Sequence, residues 1–223
     1  MIGLETIPTR ELISGENGWF GDDKKVYFEN LLMSTNRKGV DKVIEFLHQT
    51  DFYTAPASTI YHSNYKGGLM DHSLSVYALC MYYREGMIVM DPGIENRLPN
   101  DSIIISALLH DICKTNFYQP VLKWKKGDDG QWNNYEGYKA VDLMPCGHGE
   151  KSVIMLQYIG LELTVDEILA IRWHMGMFND GGGNSDLKYS QTAAVKLSPI
   201  VSLIQMADFT SSVIFEKEIE NNK

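Results

Sequence analysis

The side chains able to do chemistry in this chain are histidines and aspartates set in apolar surroundings. Six histidines are present, at positions 48, 62, 72, 110, 148 and 174. His48 stands beside Gln49 and Thr50 at the end of an amphipathic stretch and reads as a surface histidine near a helix terminus. The others read as a set. His110 and Asp111 are adjacent and follow the apolar run Ile103 to Leu109, so a buried helix presents an imidazole and a carboxylate that must both find partners. Alone, that pair is a weak signal, explained by one salt bridge or one helix-end hydrogen bond. Its company raises its weight. His72 lies on the apolar face of a second helical stretch, and His148 and His174 each stand at the end of another. Asp208 falls four residues after Ile204, on the same buried face. These four histidines and two aspartates would make a costly core without a cation. Imidazole with carboxylate suits a first-row divalent ion, and open coordination positions would hold a water made acidic at neutral pH.

The elements that position these residues are mostly helical by spacing. A short helix is expected from Asp22 to about Met33. Another is expected over 38–50, where Val40, Val43, Ile44 and Leu47 recur at helical intervals. Residues 50–66, with Pro56, read as a loop. A helix from Leu69 to about Glu85 aligns His72, Val76, Leu79 and Tyr83, and Asp101 is placed to cap a helix running through Cys113. Tyr118–Lys126 and Trp132–Val141 are rich in aromatic and β-branched residues and flank Gly127-Asp128-Asp129-Gly130, the pattern of a β-hairpin. Trp124, Trp132 and Tyr135 on that hairpin are read as ordinary packing residues, with base stacking as the sharper option. Helices are expected again over 147–159, 164–175 and 198–216, the second opened by a Thr164/Glu167 capping box. Gly181 to Ser185 reads as a plain connection, a mobile lid being the alternative. The expected organisation is one mainly α domain over 1–223, with an irregular arm and short helix over 1–36, a hairpin insertion at 117–141 and a charged, fraying tail.

Composition narrows the classes. Hydrophobic residues make up 44% and charged residues 22%, the balance of a globular chain. Cys80, Cys113 and Cys146 form no C-x-x-C pair, which argues against a disulfide framework or a zinc knuckle and for a reducing compartment. The N-terminus has no basic segment followed by an apolar run, and no apolar run is long enough for a bilayer, so a cytoplasmic location and no membrane partner are expected. The net charge of −9 disfavours a long duplex nucleic acid but admits a small anion, because a bound cation sets the local field.

The segments YHSNYKGGLMDHS (61–73), ALLHDICK (107–114), GHGEKS (147–152), IRWHMG (171–176) and MADFTSS (206–212) resemble, in order, the motifs of the HD superfamily of metal-dependent phosphohydrolases, over roughly residues 40–215. The first segment also resembles the HD domain of bacterial 3′–5′ exoribonucleases. The resemblance implies an HD-domain helical bundle binding one or two divalent ions, from among Mn, Fe, Ni, Zn and Mg. It implies that His72, His110, Asp111 and Asp208 hold the primary ion, and that His148 and His174, with Asp111 bridging, hold a second. It implies a catalytic role for Asp111. It gives Lys114, which matches the lysine after the paired motif, a role in holding a phosphate oxygen and stabilising developing charge. His62, in the loop before the first motif helix, reads equally as a substrate contact or a plain loop histidine.

The chain departs from the pattern at Cys113, where many members have glycine, and in showing no nucleic-acid-binding domain ahead of the motifs. The expected function is divalent-metal-dependent hydrolysis of a phosphate ester, as a phosphatase or phosphodiesterase, on a small phosphorylated substrate such as a nucleotide or on a short single-stranded nucleic acid. A di-iron oxygenase of the same fold, acting on a small polar molecule, is the alternative that the same ligand set allows.

Overall fold

Helical periodicity buries one face of each early helix. In the computed structural model, α1 (Lys24–Ser34) sinks Phe28 and Leu32, four residues apart, and α2 (Val40–Gln49) sinks Val40, Val43 and Leu47. The structure describes residues 24–126, 130–177 and 185–216. The expected arm, the tip of the hairpin turn, most of the glycine-rich connection and the tail beyond 216 lie outside the described residues.

The loop after α2 folds back against the start of α3 (Gly68–Met90), which runs past the expected end at Glu85. Gly67 adopts φ 88°, and any side chain on Gly68 would run into the Ser63 carbonyl. That close approach places the His62 loop over the first turns of α3. A 3₁₀ turn (Pro92–Arg97) then leads to α4 (Asn100–Leu109), buried from Ser102 to Leu109.

α4 differs from expectation at both ends. Pro99, not Asp101, occupies the capping position, with no side-chain cap, and the helix stops at Leu109 rather than continuing through Cys113. The C-terminal stop has a local cause. A continuing helix would bring the Asp111 amide to the Ala107 carbonyl. Instead His110 Nδ1 takes that carbonyl at 2.9 Å, and Asp111 leaves the helical region before a 3₁₀ turn, Ile112–Lys114.

The hairpin forms as expected. β1 (Tyr118–Lys126) pairs antiparallel with β2 (Trp132–Ala140), in register from Tyr118 opposite Ala140 to Lys126 opposite Trp132. Its aromatic residues do not pack as expected. Trp124, Trp132 and Tyr135 are 62%, 65% and 42% exposed, because among the described residues no second layer covers the two-stranded ribbon.

The second half comprises α5 (His148–Ile159), α6 (Val165–Trp173), α7 (Ser185–Leu197) and α8 (Pro199–Thr210), the last continuing as a π-helical turn, Ser211–Phe215. The Thr164/Glu167 capping box opens α6 as expected. α7 was not foreseen: it is polar and buries only Ala194, so its pattern carries little helical signal. α4 sits centrally, touching α1, α3, α6 and α8. One core cluster gathers α1, α2, α4 and α5 with the start of α3 and Ile171 of α6, and a second joins α3, α4 and α8 with Ala170 of α6. The fold is mainly helical with one small antiparallel sheet. Among the described residues no single helix is long and apolar enough to cross a membrane.

Candidate metal centre

Helix ends deliver most of the site. His110 is the first residue past α4 and His174 the first past α6. A helix leaves its last carbonyls without backbone donors. Each of these imidazoles uses one: His110 Nδ1 bonds the Ala107 carbonyl at 2.9 Å, and His174 Nδ1 bonds the Ile171 carbonyl at 2.7 Å. An Nδ1 that donates leaves Nε2 with a free lone pair, turned inward. His72 enters from the buried face of α3 and His148 from the first turn of α5. His148 Nδ1 lies 3.3 Å from Cys113 Sγ, and His72 Nδ1 lies 2.7 Å from Glu216 Oε1.

All four Nε2 atoms therefore face one another across two carboxylates. His72 Nε2 is 3.2 Å from His110 Nε2, 3.2 Å from Asp208 Oδ1 and 3.6 Å from Asp111 Oδ2. His110 Nε2 is 3.5 Å from Asp111 Oδ2 and 4.0 Å from Asp208 Oδ1. On the other side of Asp111, Oδ1 is 2.6 Å from His148 Nε2 and 3.6 Å from His174 Nε2. The structure thus brings His72, His110, Asp111, His148, His174 and Asp208 into one cluster, with Asp111 between two groups of imidazoles. Lys114, carried by the 3₁₀ turn rather than by a continuing helix, sets its ammonium 2.6 Å from Asp111 Oδ2.

The electrostatics follow from burial and neighbours. Burial opposes charge on both aspartates, yet the Lys114 ammonium holds Asp111 well below the carboxylate range, and His72 does the same for Asp208. Burial also opposes a charged His72, but Glu216 and then Asp208 outweigh it and hold the imidazole up at about 10. Burial lowers His110 and His148. His62 lies with its ring centroid 4.9 Å from that of His72, and its Nε2 is buried without a hydrogen-bond partner. Burial, then the charges of His72 and Lys114, push it down to about 4.

The donor set fits a divalent cation. With the imidazoles neutral, as an ion at their Nε2 atoms requires, Asp111, Asp208 and Glu216 carry three negative charges and Lys114 one positive, which leaves two negative charges for the ion to offset. His174 Nε2 is buried, with no hydrogen-bond partner among the described residues and a 3.6 Å approach to Asp111, an orphaned atom of the kind an ion satisfies. A proton on His72 Nε2 and an ion at that atom are alternatives, so the raised basicity of His72 reports the same demand for positive charge.

Above the cluster opens a cleft of about 690 Å³, with His174 and Asp208 at its floor and Tyr61, His62, Met175 and Phe209 among its walls. Two neighbours of the cluster escaped the sequence reading. Glu216 carries no local signal, because it lies eight residues beyond Asp208, off the α-helical repeat. Cys113 was noticed only as a departure, although its position two residues past Asp111 placed it beside the site.

No family model matches the chain, and no solved structure does. Among curated proteins, the dihydroneopterin 2′,3′-cyclic phosphate phosphodiesterase of Methanocaldococcus jannaschii is 34% identical over 169 residues, covering 74% of this chain. The chain spans 61% of the length of that relative.

Proposed function

We propose that this chain is a metal-dependent phosphodiesterase of the HD type that opens a small cyclic phosphate of the kind named for its Methanocaldococcus jannaschii relative. The observation that carries the reading is the meeting of four imidazole Nε2 atoms and two carboxylates in one cluster, of which His174 and Asp208 also line a cleft large enough for a nucleotide-sized molecule. His72, His110, Asp111 and Asp208 would hold one divalent ion, and His148 and His174, with Asp111 shared, a second. A divalent ion so held supplies Lewis acidity toward a phosphoryl oxygen and lowers the pKa of a water.

The chain's own residues do the rest. Asp111 and Asp208 bring full negative charge to the ions. Lys114, 2.6 Å from Asp111, donates to a phosphoryl oxygen as charge builds there. His62, neutral at physiological pH, lines the cleft beside His72 and would contact the substrate there. Tyr61, Met175, Phe209 and Val213 wall the cleft, take the organic part of the substrate and exclude water. In the net reaction one P–O ester bond breaks, a water oxygen joins phosphorus, and the departing oxygen leaves as a hydroxyl, so a cyclic diester becomes a monoester. The three free cysteines accord with action in a reducing cytoplasm.

The test is to purify the chain without chelator, measure its metal by mass spectrometry, and assay 2′,3′-cyclic phosphates of nucleosides and reduced pterins beside linear diesters and monoesters. Hydrolysis that stops at the monoester is expected. Asp111→Ala should lose both metal and turnover. Lys114→Met should keep its metal while turnover falls by about 10²-fold, the scale for losing one preorganised charge donor. Full turnover in Asp111→Ala would sink the reading. So would inactivity on every phosphate ester with oxygen consumed by the iron-loaded protein, which would favour the oxygenase alternative.

A further inference from the structure

We infer that Glu216 is a positioning residue for the metal centre: its carboxylate fixes the tautomer and orientation of His72, and the π-helical turn at the end of α8 delivers it there. The inference rests on the reading that the cluster holds a divalent ion.

Four imidazoles face the cluster, and their Nδ1 partners differ in kind. His110 and His174 use backbone carbonyls and His148 faces the Cys113 sulfur, whereas His72 alone meets a carboxylate, at 2.7 Å. A charged acceptor on Nδ1 makes Nε2 a stronger electron donor than a neutral acceptor does. Glu216 is itself held. It is 4% exposed, Ser63 Oγ donates to Oε2 at 2.5 Å, and Ser211 Oγ donates to Oε1 at 2.5 Å. A buried carboxylate with three donors is oriented rather than adrift. Ser211 lies 2.7 Å from Ser75 on α3, so the network ties the His62 loop, α3 and the end of α8 to one carboxylate. Glu216 does not share an ion bound at His72 Nε2, because it sits against Nδ1, at the opposite edge of the ring from Asp208.

The backbone explains how it gets there. In a regular α-helix, at about 100° per residue, a side chain eight positions past Asp208 points roughly 80° away from it. The π-helical turn Ser211–Phe215 holds one more residue per turn, which returns position 216 to the face of Asp208. Asp208 and Glu216 then bracket His72 from its two nitrogens.

The experiment compares wild type with Glu216→Gln, which keeps shape and removes charge. Cobalt(II) affinity is measured by competition with a chromophoric chelator, together with the cobalt visible spectrum and the melting temperature of the metal-free protein. The expected result is a roughly 10- to 100-fold loss of affinity, the range for a lost outer partner of a ligating histidine, with an altered cobalt spectrum and the same number of ions per chain. Unchanged affinity and spectrum would overturn the inference. Loss of one whole ion equivalent would also overturn it, by making Glu216 a ligand. If the variant does not fold, nitrogen-15 spectra of the zinc-loaded wild type decide instead: a proton on His72 Nδ1 is expected, and a proton on Nε2 overturns the inference. A wild type that binds no ion overturns the proposed function itself, a result distinct from all of these.

Discussion

A histidine in this site is defined by what holds its second nitrogen. His110 and His174 borrow carbonyls that their own helices cannot use, so the stop of each helix and the aim of each ring are one event. His62 has no such partner. Its Nε2 is buried without a hydrogen bond among the described residues, and the charges of His72 and Lys114 act on the ring. Its ionisation therefore shows in stability. An unfolded histidine takes a proton near 6.5, while burial and the two neighbouring charges hold folded His62 near 4. Between those values the unfolded chain binds more protons, so His62 costs the fold nothing above about pH 6.5 and destabilises it progressively as pH falls toward 4. Urea unfolding of wild type and His62→Asn at intervals from pH 7 to 4 should show the wild type losing ground to the variant across that window. Parallel curves would mean that His62 titrates alike in both states.

At the scale of elements, apolar residues at helical intervals made α2, α3 and α8 legible, the capping box α6, and the apolar run Ile103 to Leu109 α4, although the Asp101 cap expected there is not used. His72, His110, Asp111 and Asp208 were legible for the same reason: polar side chains stand out on faces otherwise apolar. What stayed hidden broke the repeat. The stop after Leu109 depends on a ring bonding its own helix, and α7 buries one alanine. Glu216 is misplaced by α-helical counting because the π-helical turn carries an extra residue. That extra residue gives a pair of opposed expectations. Deleting Ile214, an exposed residue of the turn, should restore a regular helix and place the glutamate seven positions past Asp208, only about 20° from its face. Inserting an alanine after Ile214 should swing it about 100° away. Cobalt affinity should survive the deletion and fall in the insertion. Equal affinity in both would show that the register of this turn does not matter to the site.

At the scale of the molecule, the cluster depends on α4 and α6 lying side by side in the same direction. Their C-terminal residues meet at the site, where the His110 and His174 rings are 4.8 Å apart. Their N-terminal ends meet at Glu167, which is fully buried. Ser102 Oγ of α4 donates to its Oε1 at 2.7 Å, and Arg37, from the turn between α1 and α2, clamps both of its oxygens at 2.7 and 2.9 Å. The same carboxylate caps α6 by accepting from the Thr164 amide. One ion pair thus fixes the ends of these two helices remote from the chemistry. Such a pair gives little net stability over an apolar replacement, but removing one partner strands a buried charge. Arg37→Ala should therefore lower unfolding free energy by about 3–5 kcal/mol, whereas Arg37→Met with Glu167→Leu should recover most of that loss. Urea unfolding of the two variants beside wild type measures both values. A loss below about 1 kcal/mol in Arg37→Ala, the scale of an exposed surface pair, would show that water reaches Glu167 and that the two helices are aligned by core packing alone.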